Sequence, residues 1–439
     1  MNEHTLRTGN HANPPEAAAT RYWVNAHTVR IGSTIMLFLI LVIFAAGAWV
    51  SDGFTDKRIT GVGSDFSVFW SASYIALHDS ALQAYNLDRM MAVIHQFGTL
   101  ASGSDRLLPW LYPPTFLLVV LPLALLPFWA SYLLFMLATG VFYVKATLGL
   151  LGDRVLPHHR AWVTVVGSPA VFVSVLMGQN SMLTAGLAAT AVTCLDKRPV
   201  MAGVAVGLLA IKPQLAILFP VVLLVARAWK TLASAAVTAL AFAGISIAVC
   251  GWKTVPAFVE SVRWAQANMI DDGGTAWYVM PTFLAAARAA GIGVSAAHTV
   301  QMTAAVLAVC ALIYVWRRTT DSGLRIAMLA TATMLTSPYL RVYELTWLLI
   351  AVAGLVSHGT RFGLSSGERL VLVLAWLLPL YEFVNPLVKL PQIGPLVFVA
   401  VAVIVVRRAV QFGKCSAPAT NARPANLHAS TTQPAPSHR

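Results

Sequence analysis

The stretch TIMLFLILVIFAAGAWV, residues 34–50, decides the fold class. It carries no charged side chain and is close to the about 20 apolar residues that an α-helix needs to cross the hydrocarbon core of a bilayer. Similar apolar runs, separated by short basic clusters, recur as far as Val410. A transmembrane barrel would show weaker segments of about ten alternating residues. The sequence therefore predicts an all-α protein, a polytopic bundle of transmembrane helices.

The composition of the whole chain agrees with this prediction. Hydrophobic residues make up 58% of the 439 residues and charged residues only 11%, and the mean hydropathy is +0.71. An average soluble domain carries about 25% charged residues, so most of this chain suits lipid rather than water. Counting the apolar runs predicts about twelve spans.

The chain carries a net charge of +13, which in a soluble protein would suggest a nucleic-acid partner. Here many of the lysines and arginines lie in short loops between apolar runs, which is the pattern that sets membrane topology. We therefore expect no nucleic-acid partner and a multi-pass protein of the plasma (inner) membrane. The four cysteines show neither disulfide nor metal-ligand spacing, so no metal or other cofactor is expected.

The distribution of polar residues divides the chain into regions. Residues 1–30 and 411–439 are polar, and both are predicted to be disordered and cytoplasmic. Residues 31–410 form the predicted transmembrane domain. Within it, residues 51–111 are the longest polar interval, and their acids outnumber their bases. Because Lys and Arg favour the cytoplasmic side, this interval is predicted to be extracytoplasmic.

The polar interval contains the stretch GSDFSVFW, residues 63–70, which opens an aromatic pattern. Apolar side chains follow at i, i+3, i+4, i+8 and i+11 in Phe66, Phe69, Trp70, Tyr74 and Leu77. That spacing predicts a helix whose aromatic face lies on the membrane surface. Asp65 directly precedes it, and two interpretations stay open. Asp65 either caps the helix, stabilising it by about 1 kcal/mol, or is a reactive carboxylate.

Some apolar segments are too short to cross a bilayer. They are residues 113–127 and the two segments that flank Lys212, residues 200–211 and 214–226. Such broken helices are typical of segments that line a cavity. An unpaired cation in hydrocarbon costs about 3 kcal/mol, so Lys212 either reaches the interface as a structural residue or meets an anion. Pro213 favours the second interpretation, because it places Lys212 at a helix break.

Further polar groups interrupt apolar runs on the same predicted side as Asp65. They are Gly178-Gln179-Asn180, Tyr112-Pro113-Pro114, and the stretch from Ser337 to Glu344 that includes Arg341. Taken singly, they are explained by a turn between helices, a rigid entry turn, and a salt bridge between Arg341 and Glu344. Taken together with Asp65 and Lys212, they supply an acid, cations and hydrogen-bond donors, which are the groups that group transfer needs.

Several of these stretches, in their order along the chain, resemble glycosyltransferase family 87. They are SDFSVFWSASYIAL (64–77), AYNLD (84–88), LYPPTFLLVVLPLALLPFWASY (111–132), GQNSMLTAGL (178–187), AIKPQLAILFP (210–220) and SPYLRVYELTWL (337–348). The resemblance covers roughly residues 30–405. It implies the membrane C type of glycosyltransferase fold, and the family is typified by mannosyltransferases that use polyprenyl-phosphate-mannose.

The resemblance implies transfer of a sugar, such as mannose, from a polyprenyl-phosphate donor to a lipid or glycan acceptor, with inversion, at the extracytoplasmic face. It implies that Asp65 is the catalytic base. The charge of the donor makes Lys212 and Arg341 the candidate phosphate ligands. The candidate substrate pocket comprises Trp70, Tyr112, Gln179, Asn180, Gln214, Tyr339, Tyr343 and Glu344. The chain departs from the family pattern at Tyr343-Glu344, where Tyr-Asp is expected, and it has no histidine there; Arg341 is the candidate replacement.

Two other functions stay open on the sequence. Broken helices around an intramembrane lysine also suit a transporter or flippase of a lipid-linked or anionic solute. The chain could also be a catalytically silent assembly subunit, in which case replacing Asp65 would leave activity unchanged. The long polar interval after the first span favours the enzyme, and no nucleotide-binding signature is present in the sequence.

Overall fold

A computed structural model describes residues 26–50, 61–101, 104, 106–152 and 158–412. These residues form helices and no strand, which confirms the all-α prediction. The α-helices are α1 (Ala26–Val50), α2 (Phe66–His78), α3 (Leu87–Phe97), α4 (Pro114–Val120), α5 (Phe128–Leu151), α6 (His158–Val166), α7 (Pro169–Met177), α8 (Ser181–Cys194), α9 (Pro199–Leu208), α10 (Pro213–Ala216), α11 (Phe219–Val225), α12 (Trp229–Cys250), α13 (Thr254–Ala265), α14 (Phe283–Ala289), α15 (Val294–Arg318), α16 (Ser322–Thr336), α17 (Thr346–Phe362), α18 (Ser366–Val388) and α19 (Gly394–Phe412). Most of the two predicted disordered ends, and residues 51–60 of the polar interval, lie outside the described residues.

Within the described residues, seven helices are long and apolar enough to cross a membrane. They are α1, α5, α12, α15, α17 with the turn before it, α18 and α19. Four shorter apolar segments accompany them: Pro114–Leu125, Ser181–Cys194, Pro199–Ile211 and Pro213–Val225. The structure therefore supports a multi-pass membrane protein but does not confirm twelve spans, because several apolar runs fold as short helices.

Helix α17 lies at the centre of the bundle. In its most apolar stretch 78% of the residues are buried inside the protein, against 11% for α1 and for α12. Gly323 on α16 and Gly354 on α17 allow these two helices to touch, since a Cβ atom on Gly323 would lie 2.5 Å from the carbonyl oxygen of Gly354. Because α17 is packed on all sides, the turn that precedes it is held in a fixed position.

The helix break predicted at Lys212 is present. α9 gives way to a 3₁₀ turn at Leu209–Ile211, and the chain then restarts as α10 and α11. Lys212 itself has non-helical dihedrals, with φ −148° and ψ 72°. Pro213 enforces this geometry, because a proline disfavours the helical conformation of the residue before it. The predicted short segment at 113–127 is likewise confirmed, as α4 followed by a 3₁₀ turn at Leu123–Leu125.

The prediction that the aromatic face of α2 lies on the membrane surface is wrong. Phe66 and Phe69 are fully buried, and the ring of Phe66 makes edge contacts with the rings of Phe128 and Tyr132 on α5. The opposite side of α2 is buried too, since Ile75 has no exposed surface. Hydrophobic periodicity shows that one face of a helix is shielded from water, but it does not show whether protein or lipid contacts that face.

The start of α2 docks onto the end of α7 through backbone contacts. The N–H groups of Gly63 and Asp65 donate to the carbonyls of Leu176 and Met177, at 2.8 and 2.9 Å. Gly178, which ends α7, has φ +75°, and a Cβ atom there would lie 2.5 Å from the Cβ of Phe66. Only glycine allows both this left-handed conformation and this close approach.

Replacing Gly178 by alanine tests the docking contact. Gly178 and Gly291 lie at the ends of their helices in the same way, and both have positive φ. In each case the backbone N–H of the next residue donates a hydrogen bond to the carbonyl five residues before it. Gly291 has open space where a Cβ would be placed. We expect Gly291→Ala to cost about 1–2 kcal/mol for the left-handed conformation, and Gly178→Ala to cost a further 1–3 kcal/mol, roughly, for the clash.

The measurement is chemical unfolding of the purified protein in detergent, with both variants compared with the native chain. Equal losses of stability in the two variants would show that the close contact between Gly178 and Phe66 does not contribute to the free energy of unfolding.

Candidate functional site

A cavity of about 370 Å³ lies where the start of α2, the segment before α4, the break at Lys212 and the turn before α17 meet. Most of the predicted site residues line it: Asp65, Tyr112, Gln179, Lys212, Gln214, Tyr339, Arg341, Tyr343 and Glu344. The acid and the buried lysine therefore share one cavity, as group transfer requires.

Two predicted pocket residues do not line the cavity. Trp70 donates its indole N–H to the carbonyl of Leu126 at 3.0 Å and stacks on Tyr74, so it belongs to the packing around α2. Asn180 is fully buried behind the cavity wall, where its side-chain oxygen accepts a hydrogen bond from Lys212. Asn180 thus contacts a residue of the cavity without facing the space itself.

Asp65 does not cap α2. It occupies the N-cap position, but its backbone is helical and its side chain makes no capping hydrogen bond. Each carboxylate oxygen instead has a side-chain donor from elsewhere in the chain. Gln179 Nε2 donates to Oδ2 at 2.9 Å, and Arg106 Nη2 donates to Oδ1 at 3.1 Å. The carboxylate is therefore held by side chains from other parts of the chain and not by the backbone of its own helix.

A short chain of hydrogen bonds fixes the amide of Gln179. The Tyr112 hydroxyl donates to Gln179 Oε1 at 3.0 Å, which leaves the Gln179 NH₂ group directed at Asp65. Burial, and then the negative charges of Glu344 and Asp65, raise the pKa of Tyr112 well above its ordinary value. Tyr112 therefore stays a neutral hydroxyl that donates. The polar turn at 178–180 has a second role beyond joining two helices, because it orients the acid.

Lys212 does not reach the interface as a structural residue. It is only 5% exposed, and its ammonium pairs with Glu344 and donates to Asn180 at 3.0 Å. The rings of Tyr112 and Tyr343 lie on either side at 5.4 and 5.3 Å, distances at which the face of an aromatic ring stabilises a cation. The salt bridge considered between Arg341 and Glu344 is not formed, because Glu344 is the partner of Lys212.

Arg341 lines the cavity and forms no salt bridge with any carboxylate among the described residues. Within this part of the chain the charged side chains of the cavity are Asp65, Glu344, Arg106, Lys212 and Arg341. Two of the cations are matched by the two carboxylates, so the site has one cation in excess. An anionic ligand is the natural complement of that charge.

Sequence reasoning missed Arg106 and one wall of the cavity. Arg106 follows the predicted helix by many residues and carries no motif, and only its place shortly before Tyr112 could have drawn attention to it. The wall comes from Met269, in a π-helical turn at Gln266–Asp271, and from Ala276 and Val279. π-helical turns occur frequently at functional sites, but they have no clear sequence signal.

The described residues around the cavity offer an oriented carboxylate, an unmatched cation and a buried lysine with an anionic partner. A model of glycosyltransferase family 87 matches residues 110–338, more than half of the chain. The matched range includes Tyr112, Gln179 and Lys212, and it ends just before Tyr339. No curated protein and no solved structure gives a significant match. With its membrane-spanning helices, the chain is a membrane glycosyltransferase and belongs to glycosyltransferase family 87.

Proposed function

We propose that the protein transfers a sugar, a hexose such as mannose, from a polyprenyl-phosphate donor to a hydroxyl of a lipid or glycan acceptor, with inversion. The reaction takes place at the extracytoplasmic face of the plasma (inner) membrane. The observation that carries the proposal is the single cavity that holds the oriented carboxylate of Asp65 together with Lys212 and Arg341. The helices adopt the membrane C type of glycosyltransferase fold.

Asp65 acts as the general base in this proposal. Its carboxylate accepts the proton of the acceptor hydroxyl as that oxygen attacks the anomeric carbon, and a positioned base of this kind contributes about 10²–10⁴ to the rate. Gln179 and Arg106 each occupy one lone pair of the carboxylate, and further lone pairs remain for the hydroxyl. Because both donors hold the carboxylate in place, little reorganisation precedes the proton transfer.

The donor phosphate gains negative charge as its bond to the sugar breaks, so the site needs cations near it. Arg341 is the better placed of the two candidates, because no described carboxylate neutralises it and its planar guanidinium suits two phosphate oxygens. Lys212 is already matched by Glu344. Its part in phosphate binding is therefore the smaller one, unless the phosphate displaces Glu344 from the ammonium.

The apolar part of the cavity suits a donor that arrives from the bilayer. Leu108, Leu111 and Leu215 line the cavity beside the charged groups. Broken helices occur in membrane proteins where they are buried or border a cavity, and the break at Lys212 gives a lipid headgroup access to polar side chains. The buried aromatic face of α2 cannot serve as a lid on the membrane surface, so the donor is held by the cavity walls.

Replacing Asp65 tests the base. We expect Asp65→Asn to lower the turnover rate by about 10²–10⁴, because the amide cannot accept the proton, while Asp65→Glu retains part of the activity. The measurement is sugar transfer by the purified protein from labelled polyprenyl-phosphate sugars to a membrane lipid extract. Asp79→Asn is the matched control, since Asp79 pairs with Arg89 at an exposed position away from the cavity. Undiminished transfer by Asp65→Asn would remove Asp65 as the base.

Replacing the two cations separates their roles. We expect Arg341→Gln to keep its stability and to lose about tenfold or more in kcat/KM, since a hydrogen bond to a charged group contributes about 1.5–3 kcal/mol.

Lys212→Gln leaves the Glu344 carboxylate buried without a cation, which destabilises a protein by about 3–5 kcal/mol. The double variant Lys212→Gln with Glu344→Gln should regain most of that stability.

The readouts are kinetics with varied donor concentration and thermal unfolding of each variant. Native kinetics in Arg341→Gln would show that this guanidinium does not bind the phosphate.

A further inference from the structure

Arg106 is the more exposed member of its ion pair with Asp65. The side chain of Arg106 is 38% exposed, whereas the side chain of Asp65 is 9% exposed. Asp65 is held by the amide of Gln179 and by its own backbone N–H, which bonds to Met177. A partly exposed arginine at the rim can therefore move while the carboxylate stays in place.

The proposed reaction moves one negative charge across the cavity. The acceptor oxygen forms a bond to the anomeric carbon and its proton passes to the Asp65 carboxylate, which becomes neutral. The bond from the anomeric carbon to the phosphate oxygen breaks, and its electron pair stays on that oxygen. A phosphodiester with one negative charge thereby becomes a phosphomonoester, which carries a charge of about −1.5 to −2 near neutral pH.

This shift of charge leaves Arg106 without its partner. A neutral carboxylic acid no longer attracts the guanidinium as a carboxylate does, and the new charge on the phosphate lies in the same cavity. Arg341 alone then faces a dianion, because Lys212 remains paired with Glu344. The cavity contains one further cation that can respond, and that cation is Arg106.

The charges of both guanidinium groups act on one side chain of the cavity, Tyr339. Burial raises the pKa of the Tyr339 hydroxyl, the positive charges of Arg341 and Arg106 lower it, and Asp65 and Glu344 raise it further. Tyr339 therefore lies within the electrostatic reach of both arginines and both carboxylates of the cavity. Arg106, Tyr339 and Arg341 line the same cavity, so a phosphate bound there by Arg341 shares that space with Arg106.

We propose that Arg106 changes partner during transfer, pairing with the Asp65 carboxylate before the reaction and with the phosphate of the departing lipid after it. Arg106 is thus both a positioning residue for the base and a phosphate ligand for the product. This inference rests on the lipid-phosphate donor proposed above.

Binding experiments test the exchange without any transfer reaction. The probes are farnesyl phosphate, a phosphomonoester, and its methyl ester, a phosphodiester, measured by titration of the full chain in lipid nanodiscs at about pH 8, where the monoester is a dianion. Asp65→Asn mimics the protonated acid and frees Arg106. We expect it to bind the monoester about tenfold more tightly than the native protein does, with a smaller gain for the diester.

The double variant is the decisive comparison. Adding Arg106→Gln to Asp65→Asn should abolish the tenfold gain, and Arg106→Lys should keep part of it because the charge is retained. Arg89→Gln, which removes an exposed arginine away from the cavity, should leave binding unchanged in either background. Thermal unfolding confirms that each variant is folded.

The results distinguish this inference from the proposed function. If both probes bind but Arg106→Gln weakens the monoester equally with and without Asp65→Asn, the exchange of partners is refuted while the lipid-phosphate donor stands. If Asp65→Asn gives no gain, the exchange is likewise refuted. If neither probe binds the native protein, the proposed donor class fails and the exchange fails with it.

Discussion

The close approach of Gly178 to Phe66 is the constraint on which the site depends. Asp65 and Gln179 are 114 residues apart in the sequence, and their side chains meet only because the start of α2 rests on the end of α7. Backbone hydrogen bonds from Gly63 and Asp65 fix the distance and the direction of that contact. A backbone contact of this kind allows little movement, which suits the role of general base proposed for Asp65.

The charges of the cavity form a second constraint. Burying a cation in a membrane protein is costly, and Lys212 is stabilised by Glu344, by Asn180 and by two aromatic rings. Asp65 is matched in the same way by Arg106. With these pairs formed, Arg341 supplies the excess positive charge among the described residues of the cavity, and the electrostatic attraction for the proposed anionic donor is concentrated there.

The sequence predicted what depends on local pattern and on the order of motifs. Apolar runs predicted an all-α, multi-pass protein but not the seven long helices of the described residues, and Pro213 predicted the break that exposes Lys212 to the cavity. The pairing of Glu344 was not predictable, because two cations competed for it and only the packing of the break against the turn before α17 decides between them. The location of the aromatic face of α2 was missed for a related reason: lipid and protein both accept aromatic side chains, so the pattern alone cannot identify the cover. Arg106 lies in a segment without periodicity, where sequence gives no spatial information.

The cavity is bordered by two kinds of structure: a turn that leads into a tightly packed helix, and two segments that lie outside the long helices. The turn before α17 forms part of the cavity floor. α17 packs so closely on α16 that no side chain fits between Gly323 and Gly354. The cavity walls include the segment before α4 and the π-helical turn at Gln266–Asp271, neither of which belongs to a long helix. Arg106 and Tyr112 in the segment before α4 orient Asp65, whereas the π-helical turn contributes Met269 and no charged side chain to the cavity. Insertions or deletions at the π-helical turn therefore alter the room for the proposed acceptor while Asp65, Lys212 and Arg341 stay in place, so acceptor choice can evolve there separately from bond chemistry.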